Sequence, residues 1–214
     1  MLVIKKFTFN PFQENTYVVS DETRECVIID PGCYETHEKK ELEGYIQQLK
    51  LEPVQLLNTH CHIDHVLGNK FVAERYDLEP RYHELEAPII ASIPQYAHLY
   101  GMGGYEPAPL CDNYIQENEV IKVGEHQMKV IFGPGHAPGH VAFYFENDKI
   151  LINGDILFQG SFGRTDLPGG DFETLKKTLT ETIFTLPDDV KVYTGHGPET
   201  TIGTEKRTNP ILTF

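Results

Sequence analysis

Thr59-His60-Cys61-His62-Ile63-Asp64-His65-Val66-Leu67-Gly68 is the stretch that decides how this chain is read. Four residues of metal-ligand type, His60, His62, Asp64 and His65, fall within six consecutive positions. Imidazoles and carboxylates crowded this closely pack poorly, and like charges among them repel. A divalent cation resolves the conflict, because neutral imidazole nitrogen and carboxylate oxygen are its preferred ligands.

Working outward, three later segments each set a further ligand type in a glycine-flanked turn after an apolar run. Gly133-Pro134-Gly135-His136 follows residues 130–132, Gly154-Asp155 follows 150–152, and Gly195-His196-Gly197 follows 190–193. Glycine there lets the backbone bend sharply and approach a site closely. If the strand ends face one way, seven side chains converge. His60, His62 and His136 then make one metal site with an open position, Asp64, His65 and His196 make a second, and Asp155 bridges the two. The expected nucleophile is a hydroxide between two ions about 3.5–4 Å apart, formed at neutral pH because the metals lower the pKa of water towards about 7. Asp64 is also expected to orient that hydroxide as a catalytic group.

A single histidine in such a turn is more often a hydrogen-bonded structural residue than a ligand. Seven candidates from four segments leave no common structural explanation. His140, four residues after His136, reads as a supporting or packing residue, and His37, His83, His98 and His126 read as surface. Cys61 lies between two ligands but points away from them in an extended turn, so it reads as packing. Asp30 is expected to support the turn, and Asn15 and Tyr17 to fix backbone near the site.

The remaining sequence bounds the class. The chain has 214 residues, 40% of them hydrophobic, with a net charge of −14 and a pI of about 5.1. That acidic balance disfavours nucleic acid and anionic membranes as partners, since both demand basic patches. A small-molecule substrate is the expected partner. No apolar run approaches the roughly 18 residues of a membrane helix. Lys5-Lys6 interrupts the start, so no secretory leader is expected. The four cysteines form no Cys-x-x-Cys pair and read as reduced thiols in a cytoplasmic protein.

Strands are predicted at Val3–Phe9, 15–19, Glu25–Ile29, 54–57, Val120–Val123, 127–132, Val141–Phe145, 150–152 and 190–193. Helices are predicted over Thr36–Leu49 with Thr36 as cap, from Asp64 or His65 through Val72, and after Asp171 with Phe172, Leu175, Leu179 and Ile183 on one face. Pro53 reads as a break. Residues 81–115, with a short helix over 85–91, read as a lid-like insertion in a single domain spanning 1–214. The tail from Ile202 reads as one helical turn.

The run His60-x-His62-x-Asp64-His65, followed by His136, Asp155 and His196, resembles the metallo-β-lactamase fold superfamily. Within it the chain is similar to short, single-domain glyoxalase II-like hydrolases. The likeness includes Asn15-Thr16-Tyr17, Ile28-Ile29-Asp30-Pro31-Gly32, residues 133–140, Gly154-Asp155 and Gly163-Arg164-Thr165-Asp166. It implies an α/β (α+β) protein built as a four-layer αββα sandwich. It also implies a thioester hydrolase carrying two divalent ions, zinc first, with iron or manganese as alternatives. The helical domain that ends typical glyoxalase II enzymes has no counterpart after His196, which leaves glutathione specificity open but not the hydrolytic chemistry. A histidine at position 65 disfavours the zinc β-lactamases, which typically use a cysteine for the second metal. A mononuclear Fe(II) persulfide dioxygenase is the alternative, followed by lactone or phosphodiester hydrolysis. Arg164 is the candidate for binding a substrate carboxylate, weighed against a structural ion pair with Asp166.

Overall fold

Alternating apolar and polar side chains lay down β1 (Val3–Phe9), which pairs antiparallel with β2 (Glu14–Ser20) from Val3 opposite Ser20 to Phe9 opposite Glu14. β2 is buried at every position and pairs antiparallel with β3 (Glu25–Ile29). The chain then returns through α1 (Thr36–Leu49) to β4 (Glu52–Leu57), which is parallel to β3. A crossover helix is what a parallel pair requires. α2 (Ile63–Val66) and α3 (Asn69–Tyr76) lead to the short β5 (Pro80–Arg81), parallel to β4. The sheet order is β1-β2-β3-β4-β5. Leu42 and Ile46 of α1 and Val72 and Ala73 of α3 bury themselves against Phe7, Val18, Ile28 and Leu56. Each aliphatic side chain buried so fully contributes roughly 1.5–3 kcal/mol.

α1 starts where the sequence predicts, but its cap is Glu35, not Thr36. Glu35 and Glu38 form a capping box in which Glu38 accepts the Glu35 amide at 2.9 Å. Pro53 does not break the chain. It lies within β4, where the register against β3 slips from Cys26–Pro53 to Val27–Gln55. A bulge is where a strand tolerates a proline. The single helix expected after Asp64 is two, α2 and α3, separated at Leu67 and Gly68, and it opens one residue earlier, at Ile63.

The predicted helix over 85–91 is longer. α4 (Ala87–Tyr96) runs through Pro94 and continues as a 3-10 turn, Ala97–Tyr100. Pro94 forfeits a backbone hydrogen bond. Burial of Ile90, Ile93 and Ala97 against Cys61, Ile63, Val66 and Tyr82 offsets that loss.

The second sheet has six strands: β6 (Val120–Val123), β7 (His126–Phe132), β8 (Val141–Phe145), β9 (Ile150–Gly154), β12 (Lys191–Thr194) and β13 (Thr200–Thr201), ordered β13-β12-β9-β8-β7-β6. β10 (Leu157–Phe158) and β11 (Ser161–Phe162) form a separate small hairpin. α5 (Phe172–Glu181) connects this part of the chain to β12, which lies parallel to β9. Asp171 caps α5 as predicted, accepting the Thr174 amide at 2.8 Å. Leu175, Leu179 and Ile183 pack with Leu151, Ile156 and Val192. The tail is more ordered than one turn: α6 (Ile202–Thr208) is capped by Thr201, and a 3-10 turn, Pro210–Thr213, buries Ile211.

The computed structural model describes residues 1–214 and divides into two compact units, Met1–Ile115 with Lys122–Gln127, and Gln116–Ile121 with Met128–Phe214. The four cysteines are free thiols and all are buried. No helix is long and apolar enough to cross a membrane.

Candidate metal centre

In the first unit, parallel pairing of β3 and β4 brings Asp30, at the end of one strand, beside Thr59, just past the end of the other. Asp30 sits at φ +49°, a left-handed backbone that non-glycine residues rarely adopt. Its Oδ1 accepts the Thr59 amide at 2.7 Å and its Oδ2 accepts the Thr59 hydroxyl at 2.6 Å. Oδ2 also lies 3.1 Å from Nδ1 of His65. The Thr59 hydroxyl donates its one hydrogen to Asp30, so it can only accept from Nδ1 of His60, 3.1 Å away. Both imidazoles are thus fixed with the proton on Nδ1, which leaves the lone pair on Nε2.

The imidazoles lie close together. Ring centroids are 4.8 Å apart for His60 and His62 and 4.1 Å apart for His60 and His65. His65 Nε2 is 3.7 Å from Oδ2 of Asp64. Ligand atoms of Asp30, His60 and His65 all fall within 4.8 Å of one another. Cys61 is buried in an apolar cluster with Ile63, Val66 and Tyr82, the packing role its position suggested.

Sequence reasoning missed two carboxylates here. Glu86, fully buried, accepts the Cys61 amide at 2.7 Å and so fixes the turn between His60 and His62. Nothing local in the sequence marks it. Glu14 is fully buried in β2, and its Oε2 accepts the Thr16 hydroxyl at 2.9 Å. Burial pushes its carboxyl well above the ordinary range, and nearby Asp30 adds to the effect while His65 opposes it. The available signal was an acidic residue at the head of an otherwise neutral strand.

In the second unit, Gly135 has φ +128°, and a Cβ there would lie 2.3 Å from the Leu175 amide nitrogen. Only glycine fits this turn, which delivers His136. His136 Nδ1 is 2.7 Å from the carbonyl oxygen of Arg164. A carbonyl only accepts, so this imidazole too keeps its proton on Nδ1 and presents Nε2. Asp155 follows directly on β9, and its amide donates to Nε2 of His140 at 3.0 Å. His140 therefore supports the site, as expected, through the Asp155 backbone. The turn carrying His196 is tied to the same strand by the Gly195 amide, 2.7 Å from the Gly154 carbonyl.

Oδ2 of Asp155 lies 3.6 Å from Nε2 of His136 and 3.5 Å from Nε2 of His196. Two donors on one tetrahedral ion with bonds of about 2.1 Å are separated by about 3.4 Å. The donor types and their spacing in each unit fit divalent metal, and the nitrogen and oxygen set suits zinc, iron and manganese alike.

Arg164 holds Asp166 in a two-pronged ion pair, Nε to Oδ1 at 2.7 Å and Nη2 to Oδ2 at 2.8 Å. Those hydrogen bonds hold the Asp166 carboxyl down at about 2. This is the structural alternative weighed for Arg164. Of the histidines expected at the surface, His37 and His98 are exposed and His126 is intermediate. His83 is buried instead, and its Nδ1 accepts the Leu85 amide at the start of a 3-10 turn.

Residues 9–196 match the model of the metallo-beta-lactamase superfamily. The hydroxyacylglutathione hydrolase GloC of Haemophilus influenzae is 37% identical over 94% of this chain and 93% of its own. The structure of BLEG-1 B3 metallo-beta-lactamase superposes with a TM-score of 0.87 at 32% identity, covering 99% of this chain and all of that one. TTHA1623, solved in a di-iron-bound form, superposes with a TM-score of 0.86 at 37% identity, covering 96% of this chain and 98% of that one. Two large mixed sheets with their helices match the fold these proteins share. On sequence and architecture alike, this chain belongs to the metallo-β-lactamase superfamily.

Proposed function

We propose that the chain hydrolyses thioesters of the hydroxyacylglutathione type as a single metallo-β-lactamase-type domain. In this reading His60, His62 and His136 would hold one divalent ion, Asp64, His65 and His196 would hold a second, and Asp155 would serve both. The observation that carries the reading is the tautomer control at three separate imidazoles. Asp30 and Thr59 secure Nδ1 of His65 and His60, and the Arg164 carbonyl secures Nδ1 of His136. The likeness to GloC supports the substrate class.

Zinc is the first candidate, with iron or manganese as alternatives; the di-iron form of a similar protein makes iron worth measuring. Bound there, two ions would supply Lewis acidity and would make a water nucleophilic at neutral pH. The chain's own groups do the rest. Asp64 orients the nucleophile. The three anchored imidazoles hold their rings fixed through turnover, which is the preorganisation catalysis needs. A thiolate leaves as a stable anion, so no general acid is required of the protein. Arg164 binds a substrate carboxylate by exchanging it for Asp166. The segment 81–115 acts as a lid, and the setting is the cytoplasm, where the four thiols stay reduced.

The likeness to BLEG-1 raises a second reading, β-lactam hydrolysis on the same scaffold, against the expectation from His65. The test is metal analysis of protein purified without chelator, followed by assays with S-lactoylglutathione, simple acyl thioesters, a chromogenic β-lactam and glutathione persulfide. Two ions per chain and thioester turnover above the other substrates are expected. One iron per chain with sulfite formed from the persulfide overturns the hydrolase reading in favour of a dioxygenase.

A further inference from the structure

α2 ends just past its ligands, and the ending leaves a backbone group to be satisfied. One more turn would aim the Gly68 amide at the Asp64 carbonyl. That amide donates instead to the Pro31 carbonyl, at 2.7 Å. The Asp64 carbonyl takes a side-chain donor in its place, Nδ2 of Asn10 at 3.0 Å. The next carbonyl, that of His65, is treated in the same way by Nδ2 of Asn58 at 3.0 Å.

Asn10 is built for this contact. It is buried and sits at φ +52° in the turn between β1 and β2, a backbone region that favours glycine. Its backbone amide donates to Oε1 of Glu38 at 2.6 Å, and its Oδ1 accepts the Phe12 amide at 3.0 Å. Its Nδ2 donates to the Gly32 carbonyl as well, at 3.0 Å. There is no slack at this junction. A Cβ on Gly32 would lie 2.6 Å from Asn10 Nδ2 and 2.8 Å from the Asp64 carbonyl oxygen.

We infer that Asn10 is a positioning residue for Asp64: its amide replaces the missing helical donor and fixes the backbone from which the carboxylate reaches the second metal. The inference rests on the proposed role of Asp64 as a ligand. Asn10 touches neither metal nor substrate, so its effect is on the affinity for one ion of the two.

The left-handed backbone makes a clean test available. Asn10→Gly keeps the conformation that glycine prefers and removes the side-chain hydrogen bonds. Chelator competition with zinc on the apo-protein, beside thermal melting, is the readout. Asn10→Gly should melt close to the parent, bind one zinc as the parent does, and bind the second about 10- to 100-fold more weakly, the range seen when groups behind metal ligands are removed. Asp64→Ala, run in parallel, should lose the second zinc. Unchanged affinity for both ions in Asn10→Gly, with the second lost in Asp64→Ala, overturns the inference and leaves the proposed function standing. Both ions retained in Asp64→Ala overturns the inference and the ligand assignment together. Should Asn10→Gly fail to fold, Asn10→Asp decides in its place. It keeps the Phe12 contact and sets a carboxylate against two carbonyls, so parent-like affinity there also overturns the inference.

Discussion

Oδ2 of Asp30 lies 3.1 Å from Nδ1 of His65, and the same carboxylate takes both the amide and the hydroxyl of Thr59. One buried acid therefore sets the orientation of two proposed ligands, His65 directly and His60 through Thr59. Asp30→Asn swaps an acceptor for a donor and cannot satisfy all three contacts. It should weaken metal binding by about 10- to 100-fold, read by chelator competition. Thr59→Val should act on His60 alone and cost less. Parent-like affinity in Asp30→Asn would show that the imidazoles orient without it.

Asp155→Ala removes the carboxylate that lies 3.5–3.6 Å from two imidazoles. Metal content per chain should drop and turnover should vanish, while circular dichroism and the melting profile stay near those of the parent apo-protein. His140→Phe should produce a milder version, because it removes only the acceptor of the Asp155 amide. Full metal stoichiometry and activity in Asp155→Ala would rule out the bridging role.

Burial pushes the Cys26 and Cys33 thiols from 9.0 up to about 12, and Cys61 well above its usual value. At pH 8 the thiolate fraction of Cys26 or Cys33 is then on the order of 10⁻⁴, and thiolate is the reactive form. Native protein should resist a disulfide-exchange reagent, and all four thiols should react in denaturant. The linkage has a definite sign. A raised folded pKa leaves stability intact below the unfolded value near 9.0 and erodes it as pH climbs towards 12. Melting temperature should fall across that alkaline window.

Asp166 is held at about 2 by its hydrogen bonds from Arg164. A lowered carboxyl contributes above its unfolded value near 3.8 and stops contributing as pH falls through about 2. Because the pair is fully exposed, stability is the wrong readout and carbon NMR of the Asp166 carboxyl is the right one. Arg164→Ala should raise its midpoint towards 3.8, short of a full return because a backbone hydrogen bond and His136 also lower it. If Arg164 instead serves a substrate carboxylate, saturation with a carboxylate-bearing product should raise the Asp166 midpoint in the parent protein.

The sequence shows the residues whose chemistry admits few substitutes. The bounds of β1, β3 and α1 also follow from local pattern, because apolar periodicity and turn residues there agree with the burial finally reached. What stayed hidden depends on distant partners. Glu86 matters through an amide 25 positions away, and Asn10 through a carbonyl 54 positions away. α4 passes Pro94 because of what Ile90 and Ile93 meet in the folded chain, not because of its own propensity. The two-residue strands β5, β10, β11 and β13 are too short to show any alternation at all.

Gly135 is wedged against the first turn of α5, and Asp30 bends the end of β3 into a left-handed kink; both are features of a chain shaped by its own packing. Proton placement on His60, His65 and His136 is likewise decided by a hydroxyl, a carboxylate and a carbonyl that the chain supplies for itself. These restraints on turn and ring are contacts within the chain itself. If the proposed centre accepts zinc, iron and manganese alike, the same rigid frame would present different chemistry according to which metal its surroundings supply.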